Sequence, residues 1–208
     1  MIVLATGNEG KAREFREILA ELGTEIVSAK EVGVTEFPEE TGHSYRENAL
    51  IKAEHVAGQT DAFVLADDSG LEVDALDGAP GLYSARFGGD LSPGARVEYL
   101  LDKLRDIPQS ERGARFVCSL VLVSPGGEVN SFEGVCKGEI LFAPRGRGGF
   151  GYDPVFYSHD LEKGFAEATS EEKRRVSHRG RAAQELLRWA KRSSASSYSR
   201  FSANQQVS

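Results

Sequence analysis

An α/β fold with a long mixed β-sheet flanked by helices is predicted for this 208-residue chain by three observations. Short β-rich runs alternate with amphipathic stretches along much of the sequence. The middle of the chain instead holds two long β-rich runs joined by a Pro-Gly-Gly turn, the pattern of an antiparallel hairpin. No repeat of solenoid period is present, and the length suits one large α/β domain or two small lobes.

The elements follow in order. Ile2 to Ala5 reads as a buried opening strand. Lys11 to Leu22 follows as a helix with Phe15, Ile18, Leu19 and Leu22 on one face. A second helix spans Ser44 to Ala57. Ser44 and Glu47 have capping-box spacing, and Tyr45, Ala49, Ala53 and Val56 form its apolar stripe. Ala62 to Ala66 is a strand that the turn-forming run Asp67-Asp68-Ser69-Gly70 is expected to end. Ser92-Pro93 supplies an N-cap and a first-turn proline for a helix through Val97, Leu100, Leu101 and Leu104. Arg115 to Val123, the turn Pro125-Gly126-Gly127, and Glu128 to Phe142 form the hairpin. Thr169 and Glu172 offer a further capping box, opening a helical region through Leu186, Leu187 and Trp189. From Ser193 the composition changes: seven of the last sixteen residues are serine. The span 192–208 is therefore expected to be a disordered tail outside the fold.

Composition narrows the function. A net charge of −7 argues against a general nucleic-acid binder, which must neutralise phosphates. The apolar runs Ala62–Ala66 and Leu120–Val123 are far too short to span a bilayer. The first residues lack a basic segment and a long apolar stretch, so a secretory signal is not expected and the cytoplasm is the expected location. Cys118 and Cys136 alone make neither a zinc site nor a secreted disulfide framework.

Five stretches carry candidate chemistry. Thr6-Gly7-Asn8-Glu9-Gly10-Lys11 lies between a strand and a helix, where backbone N–H groups and a lysine can hold phosphate oxygens. It is no P-loop: Ala5 stands where the first glycine belongs, and Ala12 where Ser or Thr should follow the lysine. A plain βα turn would use the same residues. Asp67-Asp68 offers hard oxygen donors of the kind Mg²⁺ takes, with one carboxylate on each side of the strand, or closes an Asx-type turn. Glu36 and Glu39-Glu40, before Thr41-Gly42, form an acidic loop that gains meaning only if a metal is needed. Gly146-Arg147-Gly148-Gly149-Phe150-Gly151 matches the dinucleotide fingerprint in letters only, because Tyr152-Asp153-Pro154 follows where a helix should begin. There Phe150 is either a ring for stacking on a base or a core residue. Last, Lys173-Arg174-Arg175 and His178-Arg179 concentrate donors in an acidic chain; a solvated helix face accounts for Arg174 and Arg175.

These segments occur in one order. Thr6-Gly7-Asn8 with Lys11, Ala66-Asp67-Asp68-Ser69-Gly70-Leu71, Gly78-Ala79-Pro80-Gly81 with Tyr83-Ser84-Ala85-Arg86, Gly149-Phe150-Gly151-Tyr152-Asp153-Pro154 and Ser177-His178-Arg179-Gly180 form the series. It resembles the inosine/xanthosine triphosphate pyrophosphatase family over residues 1–191. The resemblance implies two lobes about a deep central cleft, a homodimer, a Mg²⁺ cofactor, and hydrolysis of non-standard purine nucleoside triphosphates to monophosphate and pyrophosphate. It implies that Thr6, Gly7, Asn8, Glu9, Gly10 and Lys11 bind the triphosphate. Asp68 becomes proton acceptor and metal ligand, Ser69 a substrate contact, and Glu39, in preference to Glu40, the second metal ligand. Phe150, Gly151, Tyr152 and Asp153 meet base and sugar; Lys173, His178 and Arg179 close over the base. A nucleotide-binding module without turnover, and a pyrophosphatase of broader range, stay open as alternatives.

Overall fold

Strand β1 (Ile2–Leu4) lies inside a seven-stranded sheet, and its alternation decides how the layers stack. Ile2 and Leu4 face one side of the sheet, Val3 and Ala5 the other, and all four are buried. A strand sealed on both faces must be continuously apolar, as the opening sequence is. The structure, a computed structural model, describes residues 1–196; residues 197–208, most of the expected tail, lie outside the described residues.

Helix α1 (Glu9–Leu19) begins two residues before the expected start, because Asn8 caps it by accepting the Lys11 N–H, and it ends in a 3-10 turn through Leu22. Strand β2 (Ile26–Ser28) pairs parallel with β1. Helix α2 (Tyr45–Ala57) has the Ser44 cap but half the expected box: the Glu47 carboxylate accepts from His43 N–H rather than from Ser44. Strand β3 (Phe63–Val73) corrects the sequence reading. It does not stop at Ala66 but carries Asp67-Asp68-Ser69-Gly70 through its middle, paired antiparallel with β4 (Gly113–Val123). Helix α3 (Pro93–Lys103), capped by Ser92, precedes β4 as expected. Strand β5 (Val129–Ile140) closes the hairpin two residues short of Phe142. The short strands β6 (Phe156–Ser158) and β7 (Lys163–Gly164) complete the order β2-β1-β3-β4-β5-β6-β7. The sheet is mixed: β1 is parallel to both neighbours, the rest antiparallel.

Helix α4 (Ser170–Val176) has the full Thr169–Glu172 box. Ser177 breaks the chain before α5 (His178–Ser196), which continues five residues into the span expected to be tail. Helices α1 and α5 cover one face of the sheet through Phe15, Leu19, Ala183 and Leu186; α2 covers the other through Ala49, Ala53 and Val56. A third apolar cluster joins α3 to the far halves of β3, β4 and β5 around Leu71, Leu100, Phe116 and Phe156.

The position that frees the site is where β1 stops. It pairs with Phe63–Leu65, and Ala5 N–H reaches Leu65 O at 2.8 Å. From Asp67 onward β3 keeps β4 on one side, and its other edge is open until a bridge from Glu72 to Pro80. Side chains occupy the edge amides: Asp68 Oδ1 accepts from Ser69 N–H (2.9 Å) and Ser84 Oγ from Leu71 N–H (2.9 Å). Gly70 permits the close approach of the 81–86 turn, since a Cβ there would lie 2.3 Å from Gly81 O.

Arg112, 1% exposed, ties the far half together. It donates to Leu104 O, Ile107 O, Ile140 O and Leu141 O, with its guanidinium 4.4 Å from the Phe142 ring centroid. Replacing Arg112 with Met should cost about 2–4 kcal/mol in urea unfolding, because apolar bulk remains while buried carbonyls lose their donor. A loss below about 1 kcal/mol would show that this network is dispensable.

Candidate active site

A groove of about 720 Å³ runs along the open edge of β3. The turn into α1 presents Thr6, Gly7, Asn8, Gly10 and Lys11 to it. Thr6 Oγ1 accepts from Asn8 N–H and Asn8 Oδ1 from Lys11 N–H, both at 3.1 Å, so the loop shapes itself with its own side chains. A helix N-terminus with a lysine on the groove wall is an arrangement that can hold an anion.

The two aspartates of β3 face opposite sides of the sheet, as strand alternation requires. Asp67 points toward α1 and α5. Its Oδ2 lies 2.8 Å from Lys11 Nζ and 3.6 Å from Arg179 Nε, and accepts from Ser69 Oγ at 3.2 Å. Burial alone would raise this carboxyl, but Lys11, Arg179 and Lys52 outweigh it and hold it at about 2. Asp68 points toward α2. Asn48 Nδ2 donates to its Oδ2 at 3.2 Å, and Lys52 Nζ stands 3.8 Å from its Oδ1. Burial raises the Asp68 carboxyl, Glu40 adds to the rise, and Lys52 opposes it. Neighbours in sequence thus have opposite proton affinities.

Glu40 also meets Lys52, at 2.6 Å, so two carboxylates converge on one ammonium. Of the two acidic neighbours, Glu39 is exposed and absent from the groove lining, while Glu40 is half-buried and lines it. The loop has no regular repeat to direct one side chain rather than the other. Hard oxygens from two carboxylates suit Mg²⁺, which takes few protein ligands when phosphates and waters fill its shell. Among the described residues no three His, Cys, Asp or Glu side chains gather as a metal cage, so such an ion would need water or substrate oxygens to complete its coordination.

The groove wall also includes Phe150, Gly151, Tyr152, Asp153, His178 and Arg179. The Ser177 break places His178 and Arg179 in the first turn of α5. The His178 ring stacks on Phe116 (4.6 Å, 10°) and neither ring nitrogen has a hydrogen-bond partner. Burial, with Arg179, Lys173 and Lys11 nearby, pushes it well below the usual histidine range, so it is neutral at pH 7. Arg179 donates to Ser69 Oγ (2.9 Å) and Glu14 Oε2 (3.1 Å), while its Nε has no hydrogen-bond acceptor. Its guanidinium carbon lies 5.1 Å from the Phe150 ring centroid, and Lys173 Nζ 4.9 Å.

Lys173 itself bonds Glu14 (2.8 Å) and Asp153 (2.7 Å) and opens on a neighbouring pocket of about 350 Å³ beyond Phe150. Ser69 lines the main groove; Glu9 is exposed and does not. Asn48, Lys52 and Glu14 were missed. A signal existed for the first two: Asn48 and Lys52 are polar residues one helical turn apart beside the apolar stripe of α2, and both are buried.

The chain is similar to known proteins over most of its length. A sequence model described as the Ham1 family matches residues 2–189. A dITP/XTP pyrophosphatase of Thermus thermophilus is 52% identical over 186 residues, 89% of each chain. One from Bacillus subtilis is 47% identical over 185 residues, 88% of this chain and 93% of that one. The structure of a HAM1 protein from Coxiella burnetii superposes with a TM-score of 0.82 at 39% identity, covering 92% of this chain and 98% of that one.

The depressed Asp67 carboxyl fixes a pH dependence. Its contribution to stability is complete above the ordinary value of 3.8 and is lost as pH falls through about 2. That shift corresponds to about 2 kcal/mol. Asp68 and Asp153 are pushed the other way, but they titrate in both proteins when Asp67→Asn is compared with wild type. Denaturant unfolding at stepped pH should show the gap between the two narrowing from pH 4 to pH 2; a constant gap would contradict the ion-pair assignment.

Proposed function

This chain belongs to the Ham1 family, and from that membership and the groove's geometry we propose that it hydrolyses the non-standard purine nucleoside triphosphates ITP, dITP and XTP to monophosphate and pyrophosphate, removing them before they enter DNA or RNA. The observation that carries this reading is that one groove holds an anion-binding helix start, a carboxylate pair and a pair of buried, incompletely bonded donors. The enzyme class is the one the motif series resembles.

Cleavage between the α- and β-phosphates joins a water oxygen to the α-phosphorus as the bond to the bridging oxygen breaks and pyrophosphate leaves. The Thr6–Lys11 loop orients the triphosphate and shares its charge. Asp68 takes the water's proton; burial and Glu40 raise its proton affinity, in the direction a base near neutral pH requires. Asp68 and Glu40 would hold Mg²⁺, which when bound neutralises phosphate charge and lowers the pKa of bound water. Asp67 keeps Lys11 and Arg179 in place from the opposite face.

Selectivity follows from donors. The neutral His178 offers one ring N–H and Arg179 its Nε–H, and both can meet the 6-oxo acceptor of hypoxanthine or xanthine. Adenine brings an amino donor there, and a buried mismatch of that kind costs about 1–3 kcal/mol. Phe150 supplies the stacking ring. We also propose, from the family resemblance, a cytoplasmic homodimer; no helix among the described residues is long and apolar enough to cross a membrane.

Purified protein with Mg²⁺ should convert ITP, dITP and XTP to monophosphate and pyrophosphate and leave ATP nearly untouched. Orthophosphate release, or tight ITP binding without turnover, would overturn the assignment. Asp68→Asn should keep its fold by circular dichroism and lose about 10²–10⁴-fold in kcat. Glu40→Gln should raise the Mg²⁺ concentration for half-maximal activity about tenfold, against less than twofold for Glu39→Gln. The reverse ranking would return the second metal ligand to Glu39.

A further inference from the structure

One face of α2 joins the acidic loop to the middle of β3, and a single buried amide makes the join. Asn48 is 1% exposed. Its Oδ1 accepts from Gly42 N–H at 2.8 Å, and its Nδ2 donates to Asp68 Oδ2 at 3.2 Å. The backbone N–H of Gly42 can only donate, so the Asn48 oxygen must face the loop and its NH₂ must face Asp68. That NH₂ in turn requires the Asp68 oxygen it meets to be an acceptor. Gly42 is pressed against this amide: a Cβ there would lie 2.7 Å from Asn48 Oδ1. Glu40 is two residues from Gly42. One side chain therefore sets both the direction of the Asp68 carboxylate and the height of the loop that carries Glu40.

We propose that Asn48 is a positioning residue for the reaction, fixing Asp68 and Glu40 relative to one another so that they act as one pair; this rests on the roles given to those two carboxylates above. Lys52, one turn further along the helix, touches the same two groups by charge, which attracts them without fixing their orientation. Asn48 adds that direction. The second oxygen of Asp68 is occupied by Ser69 N–H at 2.9 Å, so rotation of the carboxylate would break both bonds together. Loss of the amide should leave substrate affinity in place, because Asn48 is not part of the groove lining.

Two variants separate the two bonds. Asn48→Leu keeps the volume and removes both. Asn48→Asp keeps an oxygen for Gly42 N–H and replaces the donor to Asp68 with a repelling carboxylate. For the folded full chain, both should lower kcat on ITP by about 10–100-fold with KM within about threefold. Mn²⁺ alone, followed by electron paramagnetic resonance, should bind the Leu variant about tenfold more weakly than wild type. Amide exchange at Gly42 should accelerate in the Leu variant and stay slow in the Asp variant. Loss of turnover with an intact loop is a pattern that general destabilisation would not give. Either variant with kcat within threefold of wild type, or Leu-variant Mn²⁺ affinity within twofold, overturns the proposal. Should the Leu variant fail to fold, the Asp variant decides by its kcat and Gly42 exchange. If the wild-type protein does not hydrolyse ITP, the functional reading falls, while Mn²⁺ binding and Gly42 exchange still judge Asn48.

Discussion

The site depends on an early stop in one strand. Because β1 pairs only as far as Leu65, β3 becomes an edge strand at the point where its sequence turns from aliphatic to acidic. An internal strand would have closed the edge along which the groove reaches Asp68. A true strand end would have lost the antiparallel partner that keeps them rigid. The open edge brings side chains from both faces of the sheet to one groove, Asp68 on one side and Ser69 with Arg179 on the other, the groups the proposed reaction uses. Open edges invite pairing with other strands. This one is blunted by Asp68 and Ser84, whose side chains occupy its free amides, and by the turn packed against Gly70.

Charge then organises what the edge exposes. A buried chain of alternating sign runs from Lys11 through Asp67, Arg179, Glu14 and Lys173 to Asp153. Each member is stabilised by its neighbours against the cost of burial, and removing one strands the next. The chain links the start of α1 to α4, α5 and the 150–153 turn, elements far apart in sequence. Their geometries are therefore not independent of one another.

Local signals made much of this legible. The apolar periods of α1 and α2, the Ser92-Pro93 start, the Thr169–Glu172 box and the hairpin around Pro125-Gly126-Gly127 all encode their own structure. The strand beyond Ala66 was not legible because Asp, Ser and Gly have poor strand propensity and good turn propensity; ten registered pairs with β4 overrule them. Motif letters singled out the 6–11 turn, Asp68 and the His178–Arg179 pair, which all border the groove, yet favoured the exposed Glu39 over Glu40, which lines it. An irregular loop sets side-chain direction by what it packs against, here Asn48 and Lys52, and those contacts are tertiary.

Helix α5 has a consequence of its own. The residues at its first turn face the groove, while eleven positions onward, about 16 Å along the same rod, the chain's sole tryptophan packs edge-on against Phe132, ring centroids 5.7 Å apart. A stiff helix transmits tilt. Were a ligand to rock His178 and Arg179, the indole's surroundings further along the helix would change with them, and its fluorescence would gauge occupancy without a dye or a label.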